Sequence, residues 1–209
     1  MNRAVRAEIA DLGASFFERG LTFGRTGNIS VRLGDEILVT PTGSSLGRLD
    51  PEALSSIDTA GNHTGGAKPS KEAFLHAAVY RARPNAGAVV HLHSTHSVAV
   101  SCLADLNAED VLPPLTAYYV MRVGRLALLP YHAPGDDSLE SLAEKVAGEN
   151  RAFLLANHGP VVAAADLASA ADAVEELEET ARLFLLLRGE TTRPLTTSQV
   201  DALQRRYPS

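Results

Sequence analysis

Short apolar runs alternate along this chain with longer runs of helical period, and no other sequence feature constrains the fold as much. The clearest helical run is expected to end in a cap at Gly189, and its apolar residues are Leu167, Ala170, Val174, Leu177, Ala181 and Phe184. Another helix is expected before Gly20, with Val5, Ile9, Leu12 and Phe16 at helical spacing. Helices at both ends and between strands predict an α/β protein: a three-layer α/β/α sandwich with a mostly antiparallel or mixed central sheet flanked by helices.

Strands are predicted for the apolar runs that lie beside tight turns. NISVRL and EILVTP flank Gly34-Asp35, which predicts a hairpin with a two-residue loop. AGAVVHLHS is typical of a buried strand, and RLALLPY, near residues 125–131, of another. AFLLA and PVVAAA, separated by NHG at 157–159, predict a final pair of strands joined by a tight turn.

Two more helices are expected between the strands. Ser70 precedes an amphipathic run and predicts a capped helix over residues 71–82. Asp136 or Asp137 would cap a helix with Leu139, Leu142 and Val146 on its apolar face. Residues 43–68 are rich in Gly, Ser, Asp and Asn and are expected to be mostly loop. Val98–Leu103 is too short to assign, and residues 190–209 are polar and carry no predicted chemistry.

Length and composition exclude several classes of protein. The 209 residues fit one domain spanning residues 1–209, and 45% apolar with 21% charged residues is ordinary for a globular protein. A net charge of −6 without a Lys/Arg block argues against nucleic acid as a partner. No run resembles a signal peptide or a membrane span, so no membrane partner is expected. Cys102 is the only cysteine, which excludes an internal disulfide and fits the cytoplasm.

Three histidines beside apolar strands are candidate metal ligands. His91 and His93 lie two apart on a predicted strand, so both imidazoles leave the same face of the sheet. An imidazole in the buried AGAVV strand is costly unless something binds it. His158 lies in the NHG turn, where it is either a turn residue bonded to the backbone or a third ligand. Three imidazoles with one position left open are typical of catalytic zinc.

Glu72 is the candidate acid–base group. A carboxylate near the start of a helix is favoured by the helix dipole even without another role. Its functional alternative is to carry the proton in carbon-acid chemistry beside a cation. His63, His76, His96 and His132 are expected to be solvated or packing residues, with His96 the most open to a ligand role.

Glycine-bearing loops provide the backbone amides and hydroxyls from which phosphate sites are built. These loops are GRTGNIS at 24–30, TPTGSS at 40–45, and the helix start at Ser70 and Lys71. Each loop taken alone is also compatible with ordinary turn chemistry.

Taken in order, GRTGNISVR, TPTGSS, KPSKE, VVHLHSTHS and LLANHG resemble the class II aldolase/adducin family over nearly the whole chain. The resemblance implies that His91, His93 and His158 bind one divalent metal per subunit, most often Zn, although such ligands also suit Mn, Co, Ni or Fe. It implies that Glu72 is the acid–base group. It assigns the substrate phosphate to Asn28, Thr42, Gly43 and Ser70. Lys71 replaces the second serine of the family's pattern.

LTAYYVMRVGR and EELEETARLFLLLRG are most similar to the 3-oxo-tetronate 4-phosphate decarboxylases of this family. That resemblance implies metal-dependent decarboxylation to dihydroxyacetone phosphate and CO2 through a metal-bound enediolate, with a small phosphorylated sugar acid as substrate. The alternatives are a sugar-phosphate aldolase or epimerase of the same family, and a non-catalytic adducin-like module. The resemblance further implies a C4 homotetramer, in which Tyr119 is a candidate catalytic residue acting across a subunit boundary.

Overall fold

A computed structural model describes residues 2–207, and its centre is one eight-stranded sheet. The strands are β1 Asn28–Leu33, β2 Glu36–Val39, β3 Ser55–Asp58, β4 His63–Gly65, β5 Ala88–His91, β6 Leu126–Leu129, β7 Ala152–Leu155 and β8 Gly159–Ala164. Their spatial order is β4-β3-β2-β1-β5-β8-β7-β6. All neighbouring strands are antiparallel except β6 and β7, which are parallel, so the sheet is mixed as predicted.

Helices cover both faces of the sheet. They are α1 Asn2–Glu18, α2 Ala73–Ala82, α3 Thr95–Ser101, α4 Ala117–Arg122, α5 Glu140–Glu149, α6 Leu167–Leu186 and α7 Thr197–Arg206. Ala88 and Val90 of β5 pack in one apolar cluster with residues of α1, α3, α4 and α6. Val89 packs in a second cluster with residues of α2 and α5. This alternation of side chains along the strand places one core on each face and confirms the three-layer sandwich.

Both predicted strand pairs are present. Leu33 of β1 faces Glu36 of β2, and Gly34 turns the chain between them with a φ of 68° that favours glycine. β7 pairs with β8 across the NHG turn, and Leu155 faces Gly159. The hairpin between residues 28 and 39 and the turn at 157–159 are therefore confirmed.

The prediction that residues 43–68 are mostly loop is wrong, because this segment contributes β3 and β4 to the edge of the sheet. β3 has the sequence SSID, whose serines hide it from a search for apolar runs. Ser56 Oγ donates to Glu36 Oε1 at 2.6 Å, so a polar side chain here is satisfied by the neighbouring strand. The leucine-bearing pieces before β3 form short 3-10 turns at Leu46–Arg48 and Pro51–Ala53.

Several helix ends differ from expectation. α2 begins at Ala73 rather than residue 71, and Glu72 occupies the N-cap position without a capping bond. Ser70 lies in the turn before the helix, where its Oγ accepts a hydrogen bond from the Glu72 N–H at 3.3 Å. α6 ends at Leu186, before Gly189. The unassigned Val98–Leu103 falls largely in α3, and the segment after residue 190 holds an unpredicted helix, α7. The helix after Asp136 is confirmed, with a 3-10 turn at Asp137–Leu139 leading into it.

Among residues 2–207, no helix combines the length and the apolar character needed to cross a bilayer.

Candidate active site

His91 is the last residue of β5, and only one of its two ring nitrogens has a hydrogen-bond partner in the described part of the chain. Its Nδ1 lies 2.8 Å from the Pro160 carbonyl of β8, and only an Nδ1–H can donate to a carbonyl oxygen. Nε2 therefore carries a free lone pair. This atom is buried and has no hydrogen-bond partner in the described part of the chain. A buried nitrogen without a partner costs free energy, and a metal ion would satisfy it.

The other two candidate ligands reach the same point from different elements. The prediction that His91 and His93 both lie on the strand holds for His91 only. β5 ends at His91, and His93 reaches the cluster from the segment after the strand. His158 lies in the turn between β7 and β8. The ring centroids of His91, His93 and His158 are separated by 4.6 to 5.0 Å.

The ring nitrogens converge at metal-ligand spacing. His93 Nε2 and His158 Nε2 are 3.1 Å apart, close to the roughly 3.3 Å between two nitrogens on a tetrahedral zinc. One nitrogen from each of the three rings lies within 4.8 Å of the others. Burial lowers the pKa of His93 to about 3 and that of His158 to about 4, with His91 adding to both shifts. Both rings are therefore neutral near pH 7, as metal ligands must be.

A glycine keeps the strands that carry these ligands close together. Gly159 follows His158 with a φ of 154°, and a Cβ there would lie 2.3 Å from the Leu92 carbonyl oxygen. Any side chain at this position would push β8 away from the end of β5 and separate His158 from His91 and His93.

The Glu72 carboxylate faces the three rings. Its Oε1 is 3.3 Å from His158 Nε2, and its Oε2 is 3.5 Å from His91 Nε2. Burial raises the pKa of Glu72, but His91, His158 and a hydrogen bond from Asn28 lower it by more, so it lies below its usual range. Three converging imidazoles and an ionised carboxylate fit a divalent cation that keeps one position for substrate.

The residues predicted to bind phosphate line a cavity of about 280 Å³ beside Glu72. Thr42, Gly43, Ser70 and Lys71 all lie on its wall, together with Asn28, His93 and His158. Arg25 lines it as well, and sequence reasoning missed this residue although it lies within the quoted GRTGNIS loop. Lys71 is exposed and has no carboxylate within ion-pair distance in the described chain, so its charge is available to an anion.

A second cavity of about 500 Å³ also borders two of these histidines. Its wall includes His93, His158 and His132, together with two exposed aromatic side chains, Phe23 and Tyr131. The three-histidine cluster therefore borders two spaces, one polar and cationic and the other more apolar.

Tyr119 is not placed at this site. Its side chain is 1% exposed and packs in the apolar cluster on the α6 face of the sheet. Its hydroxyl is buried without a hydrogen-bond partner in the described chain, and burial raises its pKa. A hydroxyl enclosed by its own chain cannot act across a subunit boundary, so the structure does not support the prediction for Tyr119. Its neighbour Tyr118 is exposed.

The histidines outside the cluster have mixed outcomes. His63 is exposed and His132 is partly buried, and both bond to nearby carbonyl groups; His96 Nδ1 lies 2.8 Å from Glu178 Oε1. His76 is fully buried and bonds to the Asn28 side chain beside Glu72, a link that sequence reasoning missed. The signal was the spacing of Glu72, His76 and Tyr80, which puts all three on one face of a helix.

Comparison with known proteins places the chain in a family. Residues 7–185 match the model of the class II aldolase and adducin N-terminal domain. A Haemophilus influenzae protein named 3-oxo-tetronate 4-phosphate decarboxylase is 52% identical over 199 residues, which are 95% of each chain. An L-fuculose phosphate aldolase of Methanocaldococcus jannaschii is 36% identical over 171 residues, 81% of this chain and 90% of that one.

Solved structures agree. The crystal structure of YgbL from Escherichia coli superposes with a TM-score of 0.94 at 46% identity, covering 97% of this chain and 99% of that one. An L-fuculose 1-phosphate aldolase superposes with a TM-score of 0.87 at 27% identity, covering 99% and 97%. With its fold, its histidine cluster and a match over most of its length, this chain belongs to the class II aldolase and adducin N-terminal domain family.

Proposed function

We propose that this chain is a metal-dependent carboxy-lyase that converts 3-oxo-tetronate 4-phosphate to dihydroxyacetone phosphate and CO2. The observation that carries the proposal is the Glu72 carboxylate facing three converging imidazoles. A metal site and an acid–base group are the two parts needed to break a bond next to a ketone. The choice among lyases rests on similarity, because relatives named for this decarboxylation are 46–52% identical and those named for fuculose phosphate cleavage 34–36%.

The decarboxylation gives each of these residues a role. The C1–C2 bond breaks, CO2 leaves, and its electron pair passes into the C2–C3 unit and onto the C3 oxygen. A bound divalent metal would supply the positive charge that polarises the ketone. His91, His93 and His158 would hold that metal. Glu72 is ionised at rest, so it would take up a proton from solvent and deliver it to C2, which completes dihydroxyacetone phosphate.

The anionic groups of the substrate would lie in the cavity beside Glu72. Thr42, Gly43 and Ser70 offer hydroxyls and backbone for the phosphate, and Asn28 borders the same space. Arg25 and Lys71 bring positive charge to this wall. Two cations match a substrate that carries both a phosphate and a carboxylate.

Zinc is the metal we propose, because three neutral imidazoles with one open position are typical of its catalytic sites. Manganese, cobalt, nickel and iron also accept imidazole ligands, so metal analysis of the purified protein decides among them. The exposed thiol of Cys102 is compatible with a reducing cytoplasm, which we propose as its location.

We further propose a homotetramer with sites near subunit boundaries. Phe23 is 58% exposed and Tyr131 63% exposed, and both border the cavity beside His93 and His158. Large apolar side chains at the mouth of a site are suited to cover by a neighbouring subunit. Light scattering coupled to size exclusion measures the assembly, and a monomer at micromolar concentration would contradict this proposal.

A coupled assay tests the reaction itself. Purified, metal-analysed protein is given 3-oxo-tetronate 4-phosphate in both C2 configurations, and CO2 and dihydroxyacetone phosphate are measured together. We expect the two products in equal amounts from at least one configuration. The same protein is assayed with sugar 1-phosphates for aldehyde release. Aldehyde release without decarboxylation would show an aldolase, and no turnover in either assay would contradict the carboxy-lyase.

A further inference from the structure

We infer that His76 is a positioning residue: it holds the Asn28 amide so that one oxygen of Glu72 stays bonded while the other faces His158. This inference rests on the proposed role of Glu72 as the proton carrier. His76 lies on the second turn of α2 and does not reach the substrate cavities, so it would act through Asn28 rather than on the reacting atoms.

A continuous chain of hydrogen bonds leads from Glu72 into the interior. Asn28 Nδ2 donates to Glu72 Oε2 at 2.8 Å, and Asn28 Oδ1 accepts from His76 Nε2. His76 Nδ1 lies 2.6 Å from Ser30 Oγ, and Ser30 Oγ lies 2.9 Å from the Tyr80 hydroxyl. All five side chains are buried, and His76, Ser30 and Tyr80 border neither substrate cavity, so water does not compete for their bonds.

The direction of every bond follows from the first one. A carboxylate only accepts, so the Asn28 NH2 group must face Glu72 and its carbonyl oxygen must face His76. His76 therefore carries its proton on Nε2, and burial keeps the ring neutral by lowering its pKa to about 3. Nδ1 must then accept from the Ser30 hydroxyl. The Tyr80 hydroxyl donates in turn to Ser30, through Oγ at 2.9 Å or the carbonyl oxygen at 3.0 Å.

Only one orientation of the Asn28 amide satisfies all the hydrogen bonds between Glu72 and His76. If Asn28 rotated its amide by half a turn, its oxygen would face the Glu72 carboxylate and its NH2 would face the Nε2–H of His76. Both contacts would be repulsive, and the contact with His76 lies in the fully buried interior, where no water replaces the lost bond. His76 thus prevents a rotation that would release Glu72 Oε2 and turn the carboxylate away from His158.

The test compares two replacements of His76 with a control on the same helix. His76→Leu removes the donor to Asn28, and we expect kcat to fall roughly 10- to 100-fold with KM changed less than about threefold. His76→Gln keeps an amide donor and an acceptor and should recover most of the lost kcat. Val79→Ala removes apolar packing from α2 but leaves the hydrogen-bond chain intact, and it should leave kcat within about twofold. Metal content should stay at the wild-type level in all three.

A double-mutant cycle separates positioning from general damage. Without the Glu72 carboxylate there is nothing left to position, so His76→Leu added to Glu72→Gln should cost less than about threefold more. If His76→Leu lowers kcat by the same factor with and without Glu72, the inference is wrong. A wild-type kcat in Glu72→Gln would overturn the proposed function instead, whereas slow Glu72→Gln with normal His76→Leu overturns only the role of His76.

A spectroscopic measurement tests the geometry without turnover. In protein with 15N-labelled histidine, His76 should appear at neutral pH as the neutral Nε2–H form, with or without metal. The Nδ1–H form would contradict the assigned direction of the chain. If His76→Leu does not fold, Asn28→Ala breaks the same chain one link closer to Glu72, and normal kcat in that variant would overturn the inference.

Discussion

Glu72 joins the three features on which the proposed chemistry depends: the start of α2, the histidine cluster and the cationic cavity. Within residues 2–207, its carboxylate accepts a hydrogen bond on one oxygen only, from Asn28. Glu72→Gln is nearly isosteric, so we expect full metal content and normal folding with turnover reduced ~100- to 10,000-fold. Decarboxylation at the normal rate would reduce Glu72 to a charge near the start of a helix.

The ligand assignment predicts that metal and activity are lost together. His158→Ala should abolish both, because His158 supplies one of the three converging nitrogens. His63→Ala is the matched control, since His63 is exposed on the edge strand β4. Elemental analysis should find about one metal per chain in wild type and in His63→Ala. Full metal content in His158→Ala would disprove its role as a ligand.

Lys71 could bind either the carboxylate or the phosphate of the substrate, and an exchange experiment distinguishes the two roles. Dihydroxyacetone phosphate has the phosphate and the ketone but no carboxylate, and an enzyme that protonates C2 should also exchange a hydrogen of this product with solvent deuterium. If Lys71 orients the carboxylate, Lys71→Met loses decarboxylation but keeps most of the metal and most of the exchange. Parallel loss of exchange and decarboxylation, with metal retained, would assign Lys71 to the phosphate.

At the scale of elements, α3 depends on a carboxylate from another helix. Glu178 of α6 accepts hydrogen bonds from the backbone N–H groups of His96 and Ser97 at 2.8 and 2.9 Å, and from the Ser97 hydroxyl at 2.7 Å. Glu178 thereby satisfies the free backbone N–H groups at the start of α3, where the N-cap residue Ser94 makes no capping bond. This helix begins two residues after His93.

Removing this carboxylate should destabilise the protein and loosen the metal. Glu178→Ala leaves buried donors without an acceptor, and we expect a loss of about 2–4 kcal/mol in the free energy of unfolding, together with weaker metal binding. Glu179→Ala is the control, because Glu179 forms a surface ion pair with Arg182, a contact of little energetic weight. Denaturant titration and metal competition measure the two effects. Equal stability of the two variants would contradict the capping role of Glu178.

The elements that the sequence predicts well are those whose own apolar pattern decides their structure. α6 and the strands β5, β7 and β8 are of this kind. The three histidines could be singled out because they lie beside these strands in the sequence. β3 and β4 were missed because their polar residues are stabilised by partners elsewhere in the chain. The same holds for His76, whose neighbours Asn28 and Ser30 lie more than 40 positions away, so only its spacing from Glu72 and Tyr80 was visible.

For the whole molecule, three histidines with lowered pKa values make the metal-free protein sensitive to acid. The pKa values of His76 and His93 fall to about 3 and that of His158 to about 4, from 6.5 in an unfolded chain. Below pH 6.5 the unfolded chain therefore binds protons that the folded chain does not, and stability falls with pH down to the folded pKa values.

Denaturant titrations across this range measure the effect. His76 alone should cost about 2 kcal/mol of stability between its unfolded pKa of 6.5 and roughly pH 5. His76→Gln, which cannot be protonated, should show a flatter dependence on pH. Equal pH dependence in the two proteins would show that the His76 ring is not kept neutral by the fold.

The pairing of β5 with β8 also fixes when metal can be captured. His158 follows His93 by 65 positions, and the two meet only because β8 returns to lie beside β5. During synthesis, His91 and His93 are made well before His158. A nascent chain that ends before β8 offers two ring nitrogens and no third. The complete site forms only after β8 has been made and has paired with β5, so metal binding stabilises a late stage of folding rather than its first steps.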